Sequence, residues 1–227
     1  MVLFDLDGTL CVSSGLDDAC FAAAAGEALG EEPGSIGTDW SQYREVTDAA
    51  IARELIASRG VTGGPADSAY GRMRRRFCEL VAARSRERGL CAEVPGAGAL
   101  VRRLEAMPGV GVAVATGGWR CGAVAKLRAA GIELGTDTPL VTSDDEPTRL
   151  GLLRRAMGLV GGGVDVPAVA FGDGGWDVRA ASAAGVGIVG VDAEGRGSLS
   201  GGVWEGAVID GYEDADAVIG LARSAAR

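Results

Sequence analysis

Short apolar runs ending in Gly, Asp or Thr recur along this chain with helix-like stretches between them, the alternation expected of a parallel α/β sheet. Residues 2–7, 110–116, 140–143, 168–172 and 186–191 read as strands, each largely apolar throughout, as strands buried on both faces should be. Helices are expected over 98–107, 119–130, 148–159 and 176–184, with a last one near 215–225. Ala129-Ala130-Gly131 and Ala183-Ala184-Gly185 end in a glycine where a left-handed C-cap would sit. Residues 15–92 break the rhythm. There 19–29, 43–58 and 66–88 read as helices, with Val46, Ala50, Leu55 and Ile56 at helical spacing and no strand among them. The expected organisation is an α/β core from residues 1–14 and 93–227, with a helical insertion over 15–92. Its hinges would be Ser13-Ser14-Gly15 and Glu93-Val94-Pro95-Gly96, both rich in turn formers.

The 227 residues suffice for one large domain, or a domain with a modest insertion, around a real core. Apolar residues at 47% and charged residues at 23% exclude disorder, collagen and coiled coil. The net charge of −9 repels nucleic-acid backbones and anionic membrane surfaces, so neither is expected as a partner. A phosphorylated small molecule can still bind, provided a metal ion or a local basic group offsets the field. Histidine is absent, which eliminates Ser-His-Asp, Cys-His and His-ligated metal chemistry and leaves carboxylates. The five cysteines (Cys11, Cys20, Cys78, Cys91, Cys121) are odd in number and none is spaced CxxC, so they are expected to be reduced, mostly packed thiols in a cytoplasm. The first residues enter a strand-like run without a basic leader, and no apolar stretch reaches membrane-spanning length.

Three motifs carry chemistry. In Asp5-Leu6-Asp7-Gly8-Thr9 the two carboxylates stand at i and i+2 at the end of the first expected strand. That places both on one face, either addressing a single site or forming an acidic turn. In Val114-Ala115-Thr116-Gly117-Gly118-Trp119 a strand ends in a hydroxyl and two glycines before a helix, a turn whose N–H groups can meet an anion, though many strand-to-helix turns end this way. In Phe171-Gly172-Asp173-Gly174-Gly175-Trp176-Asp177 two acids flank a glycine turn, and Asp177 either serves the site or caps the next helix. A parallel sheet brings all three strand ends to one edge.

Their order resembles the haloacid dehalogenase-like hydrolase superfamily, with a phosphoglycolate-phosphatase-like layout: DxDGT at 5–9, a hydroxyl at Thr116 and GDxxxD at 172–177. The resemblance implies a Rossmann-like parallel sheet flanked by helices, with the insertion as a type 1 α-helical cap domain. It implies a Mg²⁺-dependent phosphatase acting on a small phosphorylated metabolite through an aspartyl-phosphate. Asp5 would be the nucleophile, needing no histidine to activate it. Asp7 would be the general acid and later the base. Asp5, the backbone carbonyl of Asp7 and Asp173 would hold the ion, supported from behind by Asp177. Thr116 and Gly117 would bind phosphate. The family's phosphate-binding lysine is missing from its usual place: Lys126, the only lysine, sits on the helix after Thr116. Arg149 is therefore assigned the role, with the helix-surface reading beside it. An acid at position 7 favours phosphoester cleavage over C–halogen or C–P cleavage.

In the cap, Trp40, Tyr43, Arg44, Thr47 and Asp48 fall where such caps present specificity residues, with helix surface and cap core as the alternative. The protein is expected to act as a monomer or homodimer. Two other readings stand beside the phosphatase: a phosphosugar mutase of the β-phosphoglucomutase type, and a non-catalytic metal-binding module of the same fold.

Overall fold

The computed structural model describes residues 1–227 except 33, 88, 162–165, 196, 198 and 200–204. In chain order the elements are β1 (Val2–Phe4), β2 (Cys11–Val12), α1 (Ser14–Leu29), a 3₁₀ turn (Trp40–Gln42), α2 (Asp48–Ser58), α3 (Gly64–Arg84), β3 (Ala92–Glu93), α4 (Ala97–Glu105), β4 (Val112–Ala115), α5 (Arg120–Ala129), β5 (Leu140–Val141), α6 (Arg149–Leu159), β6 (Val169–Gly172), α7 (Gly175–Ala184), β7 (Gly187–Val191), β8 (Val208–Ile209) and α8 (Ala215–Ala225). Six strands form one parallel sheet in the order β5-β4-β1-β6-β7-β8. The α/β expectation holds, and the reversal of winding on either side of β1 marks the crevice where such sheets bind ligands.

Alternation along β1 sends Val2 and Phe4 to one apolar layer and Leu3 to the other. On the first face Phe4 stacks on Phe171, with Tyr212 edge-on to both, under residues of α4, α5 and α8. On the second face Leu152, Leu153 and Ala156 of α6 and Ala180 and Ala181 of α7 pack on Leu3, Ala113 and Ala170. A third apolar cluster joins α1, α2 and α3 and includes Trp119, from the turn before α5. Trp119 is fully buried, stacked on Phe21 and edge-on to Tyr70 and Phe77, so the helical insertion and the sheet-bearing part share an aromatic contact.

Several expectations are corrected. β1 stops at Phe4, so Asp5 and Asp7 lie in the loop beyond it. Ser14 and Gly15 form the first turn of α1, and just before it Cys11 pairs antiparallel with Glu93 and Val12 with Ala92, a short ribbon (β2 and β3) that ties the two crossings together. Residues 43–47 are not helical; α2 begins at Asp48, where the Thr47 side chain accepts the Ala50 N–H. The expected helix over 66–88 is α3, which starts at Gly64 and ends at Arg84; residue 88 lies outside the described residues. β8 carries no alternation long enough to read.

The cysteine expectation fails for two of the five. Cys78 of α3 and Cys121 of α5 form a disulfide, their Cα atoms 5.5 Å apart across 43 residues of sequence. Spacing could not show this, because the pair exists only where α3 packs on α5. Cys11, Cys20 and Cys91 are free thiols, the first two buried. The bond also removes the argument that placed the chain in a cytoplasm. Among the described residues no helix is long and apolar enough to cross a membrane.

Candidate active site

The carboxyl ends of β1, β4 and β6 open onto a cavity of about 280 Å³ lined by residues from both the sheet loops and the helical insertion. Asp5 follows β1, and its amide is tied to the Phe171 carbonyl at 2.9 Å, so β6 fixes where the carboxylate stands. The chain then turns at Gly8, whose φ of +72° is strained for any L side chain. A Cβ at Gly8 would lie 2.1 Å from Asp173 Oδ2. Glycine at position 8 is what lets the first and third motifs close on each other.

Asp5, Asp173 and Asp177 each offer a carboxylate oxygen within 4.8 Å of the others. Burial pushes Asp5 up to about 7 against the pull of Arg149, with repulsion from Asp177 and Asp7 adding to the rise. Burial raises Asp173 well above the usual carboxylate range, and repulsion from Asp177 and Asp5 adds to it; Asp177 is raised by burial too. Such a cluster is short of positive charge, and a hard divalent ion with oxygen ligands fits that donor set. The set differs from the expected one in that Asp177 joins the group. Its two oxygens, however, are already engaged, Oδ1 by Arg149 Nη1 at 3.0 Å and Oδ2 by the Gly174 amide at 3.1 Å, which suits an outer supporting position.

Arg149 stands at the first position of α6, behind the Thr148 N-cap. Its Nη1 donates to Asp5 Oδ1 at 3.0 Å and to Asp177, and its Nε donates to the Val46 carbonyl at 2.6 Å. The guanidinium also faces the Trp176 ring at 5.7 Å. Burial works against its charge, but Asp5 and Asp177 raise its pKa further, so it stays a cation. Nη2 has no partner among the described residues and lies over Gly117: a Cβ there would sit 2.6 Å from it. The buried Thr116 hydroxyl accepts the Gly118 N–H at 3.1 Å, which leaves its own proton to donate.

Asp7 is held from two sides. The Ser13 hydroxyl donates to Oδ1, and Lys126 Nζ donates to Oδ2 at 2.6 Å. The same ammonium lies 2.6 Å from Asp17 of α1 and is wholly buried. Burial opposes its charge, yet Asp17 and Asp7 outweigh that and lift its pKa well above the ordinary lysine value. Lys126 lies far in sequence from the expected phosphate-binding position, yet packing brings it to Asp7 and Asp17. Its position on the buried stripe of α5, beside Gly122, Ala123 and Leu127, was the available signal.

The residues singled out in the insertion divide. Trp40, Thr47 and Asp48 line the cavity; Arg44 is exposed and does not, and Tyr43 packs on Trp40 instead. Thr47 Oγ1 donates to the Pro147 carbonyl at 2.7 Å, and Asp48 Oδ2 accepts the Trp119 amide at 2.8 Å. With the Asp48 amide on the Gly117 carbonyl, residues 46–48 are laced to both loops that carry Gly117 and Arg149.

Carboxylates gathered at the carboxyl edge of a parallel sheet, beneath a helical insertion, define an α/β enzyme. More particularly, the chain belongs to the haloacid dehalogenase-like hydrolase family, whose profile matches residues 1–185. No curated protein matches the sequence. Among solved structures, a hydrolase from Pseudomonas syringae is 21% identical with a TM-score of 0.68, covering 96% of this chain and 97% of that one. CbbY from Rhodobacter sphaeroides, solved with phosphate, is 23% identical with a TM-score of 0.66, covering 94% of each chain. A predicted phosphoglycolate phosphatase from Haemophilus somnus is 15% identical with a TM-score of 0.64, covering 96% and 97%. At these identities the three establish a shared fold.

Proposed function

We propose that this protein is a Mg²⁺-dependent phosphatase that hydrolyses a small phosphorylated metabolite through an aspartyl-phosphate on Asp5, with α1 to α3 as a cap over the site. The observation that carries the reading is the meeting of Asp5 with Asp173 and Arg149 at the sheet edge. A bound Mg²⁺, held by Asp5, Asp173 and the Asp7 carbonyl, would supply positive charge to the phosphoryl oxygens. A carboxylate oxygen of Asp5 attacks phosphorus in line, and the ester P–O bond breaks as Asp7 gives its proton to the departing alkoxide. Asp7 then takes a proton from water, whose oxygen attacks the aspartyl-phosphate and returns Asp5 as a carboxylate. Arg149 Nη2, the Thr116 hydroxyl and the backbone N–H of Gly117 receive the phosphoryl oxygens. The hydrogen bonds from residues 46–48 to the loops at 117–119 and 147–149 support a closed cap that excludes water.

The test is Asp5→Asn assayed with p-nitrophenyl phosphate and Mg²⁺. Turnover should disappear while circular dichroism stays unchanged; turnover equal to the parent's would discard the mechanism.

A further inference from the structure

The charges around the cavity are unevenly placed. At the sheet end stand Asp5, Asp7 and Asp173 with Arg149. Trp176, facing the Arg149 guanidinium, and Asp48, bonded to the Trp119 amide, stand at the same end, and the helical segment adds Asp18, Asp39, Phe21 and Trp40 to the lining. Arg149 is the one cation on the described lining, and its guanidinium is committed to Asp5, Asp177 and the phosphoryl position. The nearby buried cation, Lys126, is off the lining and shared between Asp7 and Asp17. A second anionic group on a substrate would therefore find no counter-charge among the lining residues of the helical segment and would face carboxylates instead.

The same residues suit a cation. Phe21 and Trp40 meet edge to face, with centroids 5.2 Å apart and planes at 73°; Phe21 is itself buried and stacked on Trp119, which leaves the part-exposed Trp40 as the ring that can face a ligand. The Trp40 indole N–H donates to Asp18 Oδ1 at 2.6 Å, which sets a carboxylate beside that ring. A ring face next to a carboxylate attracts an ammonium, quaternary ones included. The cavity volume of about 280 Å³ accommodates a phosphoryl group and a short chain.

We propose that the substrates are phosphomonoesters of small amino alcohols, with the cationic nitrogen lodged between Trp40 and Asp18 while the phosphoryl group sits at Asp5; this rests on the phosphatase reading of the same site. Water and the ester give the amino alcohol and inorganic phosphate with no further reactant. The contrast is with phosphoglycolate, whose leaving group carries a carboxylate.

The full-length protein with Mg²⁺ should be assayed against phosphocholine, phosphoethanolamine, glycerol phosphate and phosphoglycolate, with p-nitrophenyl phosphate as reference. The expected result is a kcat/KM for phosphocholine or phosphoethanolamine on the order of tenfold or more above that for phosphoglycolate. In Asp18→Asn and in Trp40→Leu that ratio should shrink toward one, a readout insensitive to how much of each variant folds. Equal or better turnover of phosphoglycolate, with Asp5-dependent hydrolysis of p-nitrophenyl phosphate intact, would overturn this inference alone. No turnover of any ester would overturn the phosphatase reading with it.

Discussion

A lysine ammonium shut away from water has to be matched by carboxylates, and Lys126 is matched twice, by Asp7 and by Asp17. The arrangement links the loop after β1 to the first turns of α1 through one atom. Lys126→Met should leave two largely buried carboxylates without their cation, at a cost of about 3–5 kcal/mol, the range for breaking a buried ion pair from one side. Urea unfolding of the variant would measure the loss, and Lys126→Met combined with Asp17→Asn should recover part of it. Asp5, Asp173 and Asp177 were legible in the chain because each lies in a short motif that follows a strand. Lys126 was not, because its partners lie 119 and 109 residues away and only the packing of α5 aims it at them.

Among the elements, α2 shows how a cap residue serves two purposes. Thr47 Oγ1 accepts the Ala50 N–H, closing the helix start, and donates to the Pro147 carbonyl in the loop before α6. Thr47→Val keeps the shape and loses both bonds, so unfolding should become easier by about 1–2 kcal/mol. Because Val46, next in the chain, holds Arg149, the KM for p-nitrophenyl phosphate should rise as well. Chemical denaturation and steady-state kinetics on one preparation would check both. The expected helix over 43–58 overran this cap because residues 43–47 keep apolar positions near helical spacing, while the Thr47 hydroxyl and its partner in the distant loop stop the helix there. The pairing of Cys11 with Glu93 leaves no local pattern for a related reason: two-residue strands are too short to alternate.

Across the whole molecule, three apolar clusters and one covalent bond decide how the insertion sits on the sheet. The Cys78–Cys121 disulfide joins α3 to α5 beside the aromatic contact of Trp119. Closing a loop of 43 residues restricts the unfolded chain by about 4 kcal/mol in the chain-entropy account. A dithiol reductant should accordingly lower the melting temperature, and the Cys78→Ser variant should melt lower than the parent and be insensitive to the reductant; scanning calorimetry with and without reductant reads both. An unchanged melting temperature would mean that the bond constrains nothing the packing does not already hold.

The order of strands and helices, the α/β class and the acids at the strand ends were written in short windows of the chain, because side-chain periodicity and turn chemistry act between residues a few positions apart. Which groups meet was not. Arg149 reaching Asp5 across 144 residues, Lys126 choosing Asp7, and two cysteines joining across helices all depend on how elements pack, and packing is settled by the summed fit of distant surfaces that no local pattern records.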